Sequence, residues 1–312
     1  MKKILSIILI LTVVLCLFSS CKGSETPKGE ITVVCSTFPI YDFVKNIADD
    51  TVNIILLDST TDIHSFEPTA QDIMALSQAD LFICIGGVSD SWVDKAIGSA
   101  NSEKLSVLRL MDCVKQVNEE TVEGMQVEEE EEPEADEHIW LSLKNAKLMC
   151  KGICEKLCEI DSEKSKAFKT NLNEYVQKLN ELDKQYEKVV SLAKVKTLIF
   201  ADRFPFRYLC EDYGLEYFAA FPGCSSETSA SFETVSFLIE KTRELNLRTI
   251  FVTESSDMKI AEIVKYGSNA DILVLNSCQS THMAQIENGA TYLGIMTDNL
   301  TALESGISEH DN

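Results

Sequence analysis

The stretch from Ser162 to Ala193, SEKSKAFKTNLNEYVQKLNELDKQYEKVVSLA, contains neither glycine nor proline. Its apolar residues Phe168, Leu172, Tyr175, Leu179, Leu182, Tyr186, Val189 and Ala193 alternate steps of three and four, which draws one stripe along a helix. At ~1.5 Å per residue such a helix runs roughly 48 Å, a stiff rod able to reach from one lobe to another. Before it, short apolar runs at Ile31–Cys35, Val52–Leu57, Asp80–Ile85 and Leu105–Leu110 alternate with helical patterns at Tyr41–Ala48, Pro68–Ala79 and Asp90–Gly98. A further helix is expected from about Leu143 to Cys158. After the rod the alternation restarts, with strands at Thr197–Ala201, Glu216–Phe221, Thr249–Thr253 and Ile272–Leu275. The helices there are Phe206–Tyr213, Ser231–Leu245, Met258–Tyr266 and Ala290–Leu303. Strands alternating with amphipathic helices imply parallel βαβ units. The predicted fold is α/β: two (β/α)4-type lobes with mostly parallel sheets, joined by one long rigid helix. A ligand cleft would lie between the lobes, beyond the carboxyl ends of the strands.

The chain opens with Lys2 and Lys3, an apolar run from Ile4 to Phe18, and then Ser19-Ser20-Cys21. A basic start, an apolar stretch and small residues before a cut are the marks of a secretory signal. The run is also shorter than the ~20 apolar residues of a spanning helix. Leu17-Phe18-Ser19-Ser20-Cys21 resembles a bacterial lipobox, which makes Cys21 the expected lipidation site. The expected boundaries are residues 1–20 for the signal and 21–30 for a lipid-anchored tether. The N-terminal lobe then spans 31–160, the linking helix 161–194 and the C-terminal lobe 195–312. The expected location is outside the cytoplasm, on the cell membrane through the lipid.

Composition narrows the partners. The formal net charge is −22, and the first twenty residues carry two lysines and no acid, so their removal makes it more negative. Phosphates would be repelled, which argues against nucleic acid. A cation would be attracted. From Glu119 to Glu137, eleven of nineteen residues are acidic. Charge this dense opposes burial, so a mobile loop that gathers cations weakly is expected. Of eleven cysteines, nine remain once Cys16 and Cys21 are set aside, an odd number without a CxxC spacing. Cys150, Cys154 and Cys158 recur every four residues and read as small core residues on one helix face.

Two of the four histidines fall where a cleft should be. His64 follows the second strand, in Asp62-Ile63-His64-Ser65-Phe66-Glu67-Pro68. His138 follows the acidic segment, in Glu137-His138-Ile139-Trp140-Leu141. Imidazole suits zinc and related ions, but two histidines alone establish little. Patterns of hydrolytic or nucleophilic catalysis such as HExxH and GxSxG are absent, so no enzyme is expected.

In these two motifs, and in the Ser36-Thr-Phe-Pro-Ile-Tyr-Asp-Phe-Val44 segment, Tyr208-Leu209, Tyr213-Gly214-Leu215 and Gly289-Ala-Thr-Tyr-Leu293, the chain resembles one family. It is the ZnuA-like or TroA-like family of zinc- and manganese-binding solute-binding lipoproteins of ABC transporters. The resemblance covers almost the whole chain after the leader. It implies a monomer that captures Zn2+, with Mn2+ as the other candidate, and delivers it to a permease and its ATPase. It also implies His64 and His138 as metal ligands. A third ligand should follow the first strand of the second lobe. Counting back from Tyr208 that position is Arg203, which cannot ligate; counting forward from Phe200 it is Asp202. The fourth position, usually an aspartate, is Asn276. Glu227, Glu254 and Cys278 lie near strand ends and could substitute, while Arg203 would pair with a carboxylate at the rim. Two other readings keep the fold: an anion or metal chelate held through Arg203, and a surface adhesin.

Overall fold

The computed structural model describes residues 30–57, 63–127, 134–225 and 229–308. The expected leader and nearly all of the tether, with Cys21, lie outside the described residues, as does Glu227. Among the described residues no helix is long and apolar enough to cross a membrane.

Residues Ile31 to Asn312 form one compact unit with two four-stranded sheets. Strands β1 (Ile31–Cys35), β2 (Val52–Leu56), β3 (Leu81–Cys84) and β4 (Ser106–Arg109) run parallel in the order β2-β1-β3-β4. Strands β5 (Thr197–Phe204), β6 (Glu216–Pro222), β7 (Thr249–Val252) and β8 (Asp271–Val274) repeat that order as β6-β5-β7-β8, again parallel. In each sheet the strand order reverses beside its first strand, which opens a crevice at the carboxyl ends.

The strand sequences explain how the sheets are covered. Val33, Cys35, Leu81 and Ile83 face a central core, whereas Val34, Phe82 and Cys84 face an outer one. In the second sheet Leu198, Phe200 and Phe251 point inward and Ile199, Ala201, Ile250 and Val252 outward. This is the two-residue alternation of a sheet buried on both faces. The outer faces carry α2 (Ala70–Gln78) and α3 (Val93–Ala100) on one sheet, and α7 (Phe232–Glu244) and α8 (Lys259–Ser268) on the other.

The central core continues through both sheets. It contains α1 (Phe38–Ala48), α4 (Leu143–Ile160), the linking helix α5 (Ser165–Leu192), and the C-terminal α10 (Tyr292–Ile307). Helix α5 buries Phe168, Tyr175, Leu179, Leu182, Tyr186 and Val190. Leu172, Val189 and Ala193 pack against the same core while only partly buried, and Val190 joins the buried residues because a 3.6-residue helix drifts against a 3.5-residue count. Tyr292 Oη donates to the carbonyl of Trp140 at 2.6 Å and Tyr186 Oη to that of Met296 at 2.6 Å. Each sheet thus has its own outer core, and the two share one central core built on these helices.

Caps set several helix ends. Thr69 and Asp72 form a reciprocal capping box, so α2 begins after Pro68. Ser231 and Thr291 cap α7 and α10 through Thr234 N and Gly294 N. Cys150 and Cys154 are buried, and the nine cysteines of the described residues are all free. The short α9 (Met283–Glu287) was not expected, since five residues without a periodic stripe carry no helical signal.

The acidic segment departs from its expectation at both ends. An antiparallel bridge joins Asn118 to Ala135, Glu119 N donates to Glu134 O at 2.8 Å, and Asp136 N donates to Val117 O at 2.9 Å. Tyr208 of α6 (Arg207–Tyr213) stitches the two ends, accepting from Val117 N and donating to Asp136 O. Further on, Gln126 N donates to Ala220 O, on the edge strand of the second sheet. Glu120 pairs with Arg207 Nε at 3.3 Å. Specific donors for the first glutamates, not a lower charge, account for the order. Residues 128–133, the densest run of glutamates, lie outside the described residues.

Candidate metal centre

His64 lies in a 3-10 turn, Ile63–Ser65, shortly after β2. Its Nδ1 is 2.6 Å from Ser89 Oγ, which belongs to the turn Val88–Asp90 beyond β3. That turn is pinned twice: Gly86 N donates to Asp90 Oδ2 at 2.7 Å, and Ser89 N donates to Glu137 Oε1 at 2.7 Å. Two glycines make room for it. Gly86 has φ +96°, and a Cβ on Gly87 would fall 2.4 Å from Glu137 Cγ. The turn after β3 therefore connects both histidine motifs, holding one imidazole and the residue preceding the other.

His138 is fully buried. It is delivered by the segment returning from the bridge at Ala135, not by a strand end. Asp136 Oδ1 accepts from His138 N at 2.7 Å and lies 3.0 Å from His138 Nδ1. In the neutral ring the carboxylate favours the proton on Nδ1, which leaves Nε2 as the lone-pair donor. His138 Nε2 is buried and has no hydrogen-bond partner among the described residues. Burial disfavours the charged ring, but the carboxylates of Asp136, Glu119 and Glu137 outweigh it and hold the His138 pKa above the ordinary histidine value. The two imidazole centroids are 5.5 Å apart with planes inclined at 59°. The ring of Trp140 closes one side, 5.4 Å from His138, and its Nε1 donates to Ser277 O across to the second sheet at 2.7 Å.

The second sheet adds Cys224, a residue that sequence reasoning passed over. It sits in the turn after β6. One ligand atom from each of His64, His138 and Cys224 lies within 4.8 Å of the other two. Gly223 lets this turn approach, since a Cβ there would stand 2.9 Å from His138 Cε1 and 2.9 Å from Phe204 O. Cys224 N donates to Glu119 Oε1 at 2.9 Å. Burial first, and then Glu119, Glu137 and Asp136, push the thiol pKa far up, so without a cation it stays protonated. The available signal was positional: Gly223-Cys224 follows a strand at its carboxyl end.

The remaining candidates among the described residues make other contacts. Asp202 Oδ2 accepts from Thr253 N at 3.1 Å and Thr253 Oγ1 at 2.7 Å, and Oδ1 accepts from Arg203 N at 2.8 Å. Asp202 thus ties β5 to the end of β7. The pairing of β5 with β6 shifts register between Phe200 and Arg203. That irregularity falls where the forward and backward counts disagree by one residue. Arg203 Nη1 donates to Ser225 O at 3.4 Å and so braces the turn that carries Cys224. Asn276 Oδ1 accepts from Cys278 N at 2.7 Å, and Glu254 accepts from Ser277 N and Oγ. Cys278 is fully buried in the central core. Neither Asp202, Glu254 nor Cys278 joins His64 and His138 in a group with ligand spacing among the described residues.

Two imidazoles and a thiol, with Glu119, Asp136 and Glu137 beside them, are donors of the kind that suits a borderline-soft divalent cation. Residues 33–306 match the family model described as zinc-uptake complex component A, periplasmic (ZnuA). The chain is 30% identical over 302 residues to the high-affinity zinc uptake system protein ZnuA of Bacillus subtilis, covering 95% of this chain and 94% of that protein. It is 27% identical over 289 residues to the zinc-binding lipoprotein AdcA of Streptococcus pneumoniae. That match takes in 91% of this chain but spans only 57% of AdcA. The crystal structure of the Zn(II)-bound ZnuA-like domain of Streptococcus pneumoniae AdcA superposes with a TM-score of 0.75 at 26% identity, covering 90% of this chain and 100% of that domain.

Proposed function

The chain belongs to the ZnuA family of zinc-uptake components, and from this we propose that it captures a zinc ion on His64 and His138 and delivers it to an ABC-type importer. The observation that carries the reading is the buried Nε2 of His138, which has no hydrogen-bond partner among the described residues and is held toward the His64 ring by Asp136. Leaving a buried acceptor unsatisfied costs about 1–3 kcal/mol, and a cation at that point removes the cost. Three carboxylates around the rings raise the local concentration of a divalent ion. Imidazole donors favour zinc over manganese, which prefers oxygen ligands.

The binding reading requires no bond to be made or broken in the cargo, in keeping with a transport component rather than an enzyme. We place the protein outside the cytoplasm, where a permease and its ATPase receive the ion, with Cys21 as the lipid-bearing residue. The test is equilibrium zinc binding by the chain from residue 22 onward. One ion per chain is expected, lost in the double variant His64→Ala/His138→Ala while its circular dichroism is unchanged. A wild-type chain that takes up no zinc, or a double variant that binds as tightly, would overturn the proposal.

A further inference from the structure

Six of the nine free cysteines in the described residues, Cys35, Cys84, Cys150, Cys154, Cys210 and Cys278, are buried. Cys224 differs from them. It is half-buried, it is carried by the second sheet, and its sulfur faces the two imidazoles of the first. Three independent features place it there. Gly223 removes the side chain that would hold its turn away from His138. Arg203 braces the carbonyl of Ser225 behind it. Glu119 takes its backbone N–H, so that the thiol and the first carboxylate of the acidic segment share one spot. The oxygen donors nearby on that sheet, Asp202, Glu254 and Asn276, are meanwhile taken up by backbone amides and hydroxyls.

We propose that Cys224 supplies the second sheet's ligand as a thiolate, completing with His64 and His138 a two-imidazole, one-thiolate site that selects zinc and other thiophilic ions against manganese. The inference rests on the reading that the two histidines hold the cargo. On binding, the sulfur–hydrogen bond breaks and a sulfur–metal bond forms. The proton leaves to the medium, and no electrons change hands. Zinc–nitrogen bonds of ~2.0–2.1 Å and a zinc–sulfur bond of ~2.3 Å put the ligand atoms roughly 3–4 Å apart. Atoms already within 4.8 Å reach that spacing by a small closure of the two sheets' rims. In the ion-free protein, burial and the surrounding carboxylates keep the thiol protonated and little reactive. The sulfur also gives the loaded site a ligand from the second sheet, since the histidines both come from the first.

Cobalt(II) alone is the probe, because a thiolate bound to it gives an intense near-ultraviolet charge-transfer band that imidazole and carboxylate do not. The wild-type chain loaded with one cobalt should show the band. Cys224→Ser should bind cobalt and zinc roughly tenfold or more weaker and lack the band, while Cys224→Asp should bind again without it and narrow the preference for zinc over manganese, as an oxygen ligand would. A bound cobalt without the band in the wild-type chain, or a band that persists in Cys224→Ser, would overturn the thiolate assignment. So would equal affinity of Cys224→Ser and wild type. In each of these cases, metal loss in His64→Ala/His138→Ala would leave the histidine reading standing. A wild-type chain that binds neither cobalt nor zinc would end both.

Discussion

At the residue scale, the carboxylate behind His138 matters as much as the ring. Asp136 Oδ1 meets both the backbone N–H and Nδ1 of His138, so it sets the tautomer and the aim of Nε2. Asp136→Asn keeps an oxygen for the backbone bond but loses the charge. It should lower zinc affinity roughly 10–100-fold with little change in melting temperature. Calorimetric titration checks this, and an unchanged affinity would mean that the ring is oriented by packing alone. Much of this was legible in the sequence. The Glu137-His138-Ile-Trp-Leu and Ile63-His64-Ser-Phe-Glu-Pro motifs marked both imidazoles, and the structure brings their rings together. The second sheet's contribution was not legible. Asp202 has the chemistry of a ligand but is drawn off by Thr253, and competition for one carboxylate by backbone amides depends on tertiary geometry. Cys224 was overlooked because a lone thiol after a strand looks like any small core residue.

At the element scale, two features lend themselves to tests. The acidic segment straps the edge of the second sheet through Gln126 N and Ala220 O, and Gly124, at φ +85°, would place a Cβ 2.0 Å from the Phe237 ring. Gly124→Val should detach the strap, at a cost of about 1–3 kcal/mol. Hydrogen exchange should speed up at Gln126 and leave the amides of β1 and β5 as they are; uniform acceleration would instead mean global destabilisation. The second feature is Asp42 on α1, which accepts from Tyr175 Oη of α5 at 3.0 Å and from Asn46 Nδ2 at 3.1 Å. Burial lifts its pKa to about 6 even though hydrogen bonds from Tyr175 and from the Tyr292 backbone pull it down. The unfolded value is about 4, so the folded state binds the proton more tightly. Stability from this group is therefore fully present below about pH 4 and lost as pH rises through about 6. Asp42→Asn does not titrate, so the stability difference should move in the variant's favour by about 1–3 kcal/mol between pH 4 and pH 8. Urea denaturation at the two pH values measures it, and a flat or opposite trend would contradict the assignment. Alternating apolar runs made these elements readable beforehand. The starts expected at Pro68, Ser231 and Ala290 fall within one or two residues of those fixed by the caps Thr69, Ser231 and Thr291, whereas the last helix runs on to Ile307, past the expected Leu303.

At the scale of the whole molecule, one core runs through both sheets by way of α1, α4, α5 and α10, and the ligand cluster lies where their carboxyl ends face each other. A ligand that joins the two rims binds only the folded chain, so zinc at 100 times its dissociation constant should stabilise the protein by about 2.7 kcal/mol. The melting temperature should climb with zinc concentration in the wild type and not in His64→Ala/His138→Ala. Two parallel sheets around a long helix were visible in the sequence as a repeated pattern on either side of the stretch 162–193. The sharing of one core was not, because inward and outward residues of a doubly buried strand are equally apolar. The central claim, that the paired imidazoles hold the cargo ion, is tested most directly by a crystal of the zinc-loaded chain measured on both sides of the zinc absorption edge. The account predicts a single strong anomalous peak at ~2.0–2.1 Å from both His64 and His138 nitrogens. A peak confined to the surface glutamates of the acidic segment, with the two imidazoles uncoordinated, would contradict it.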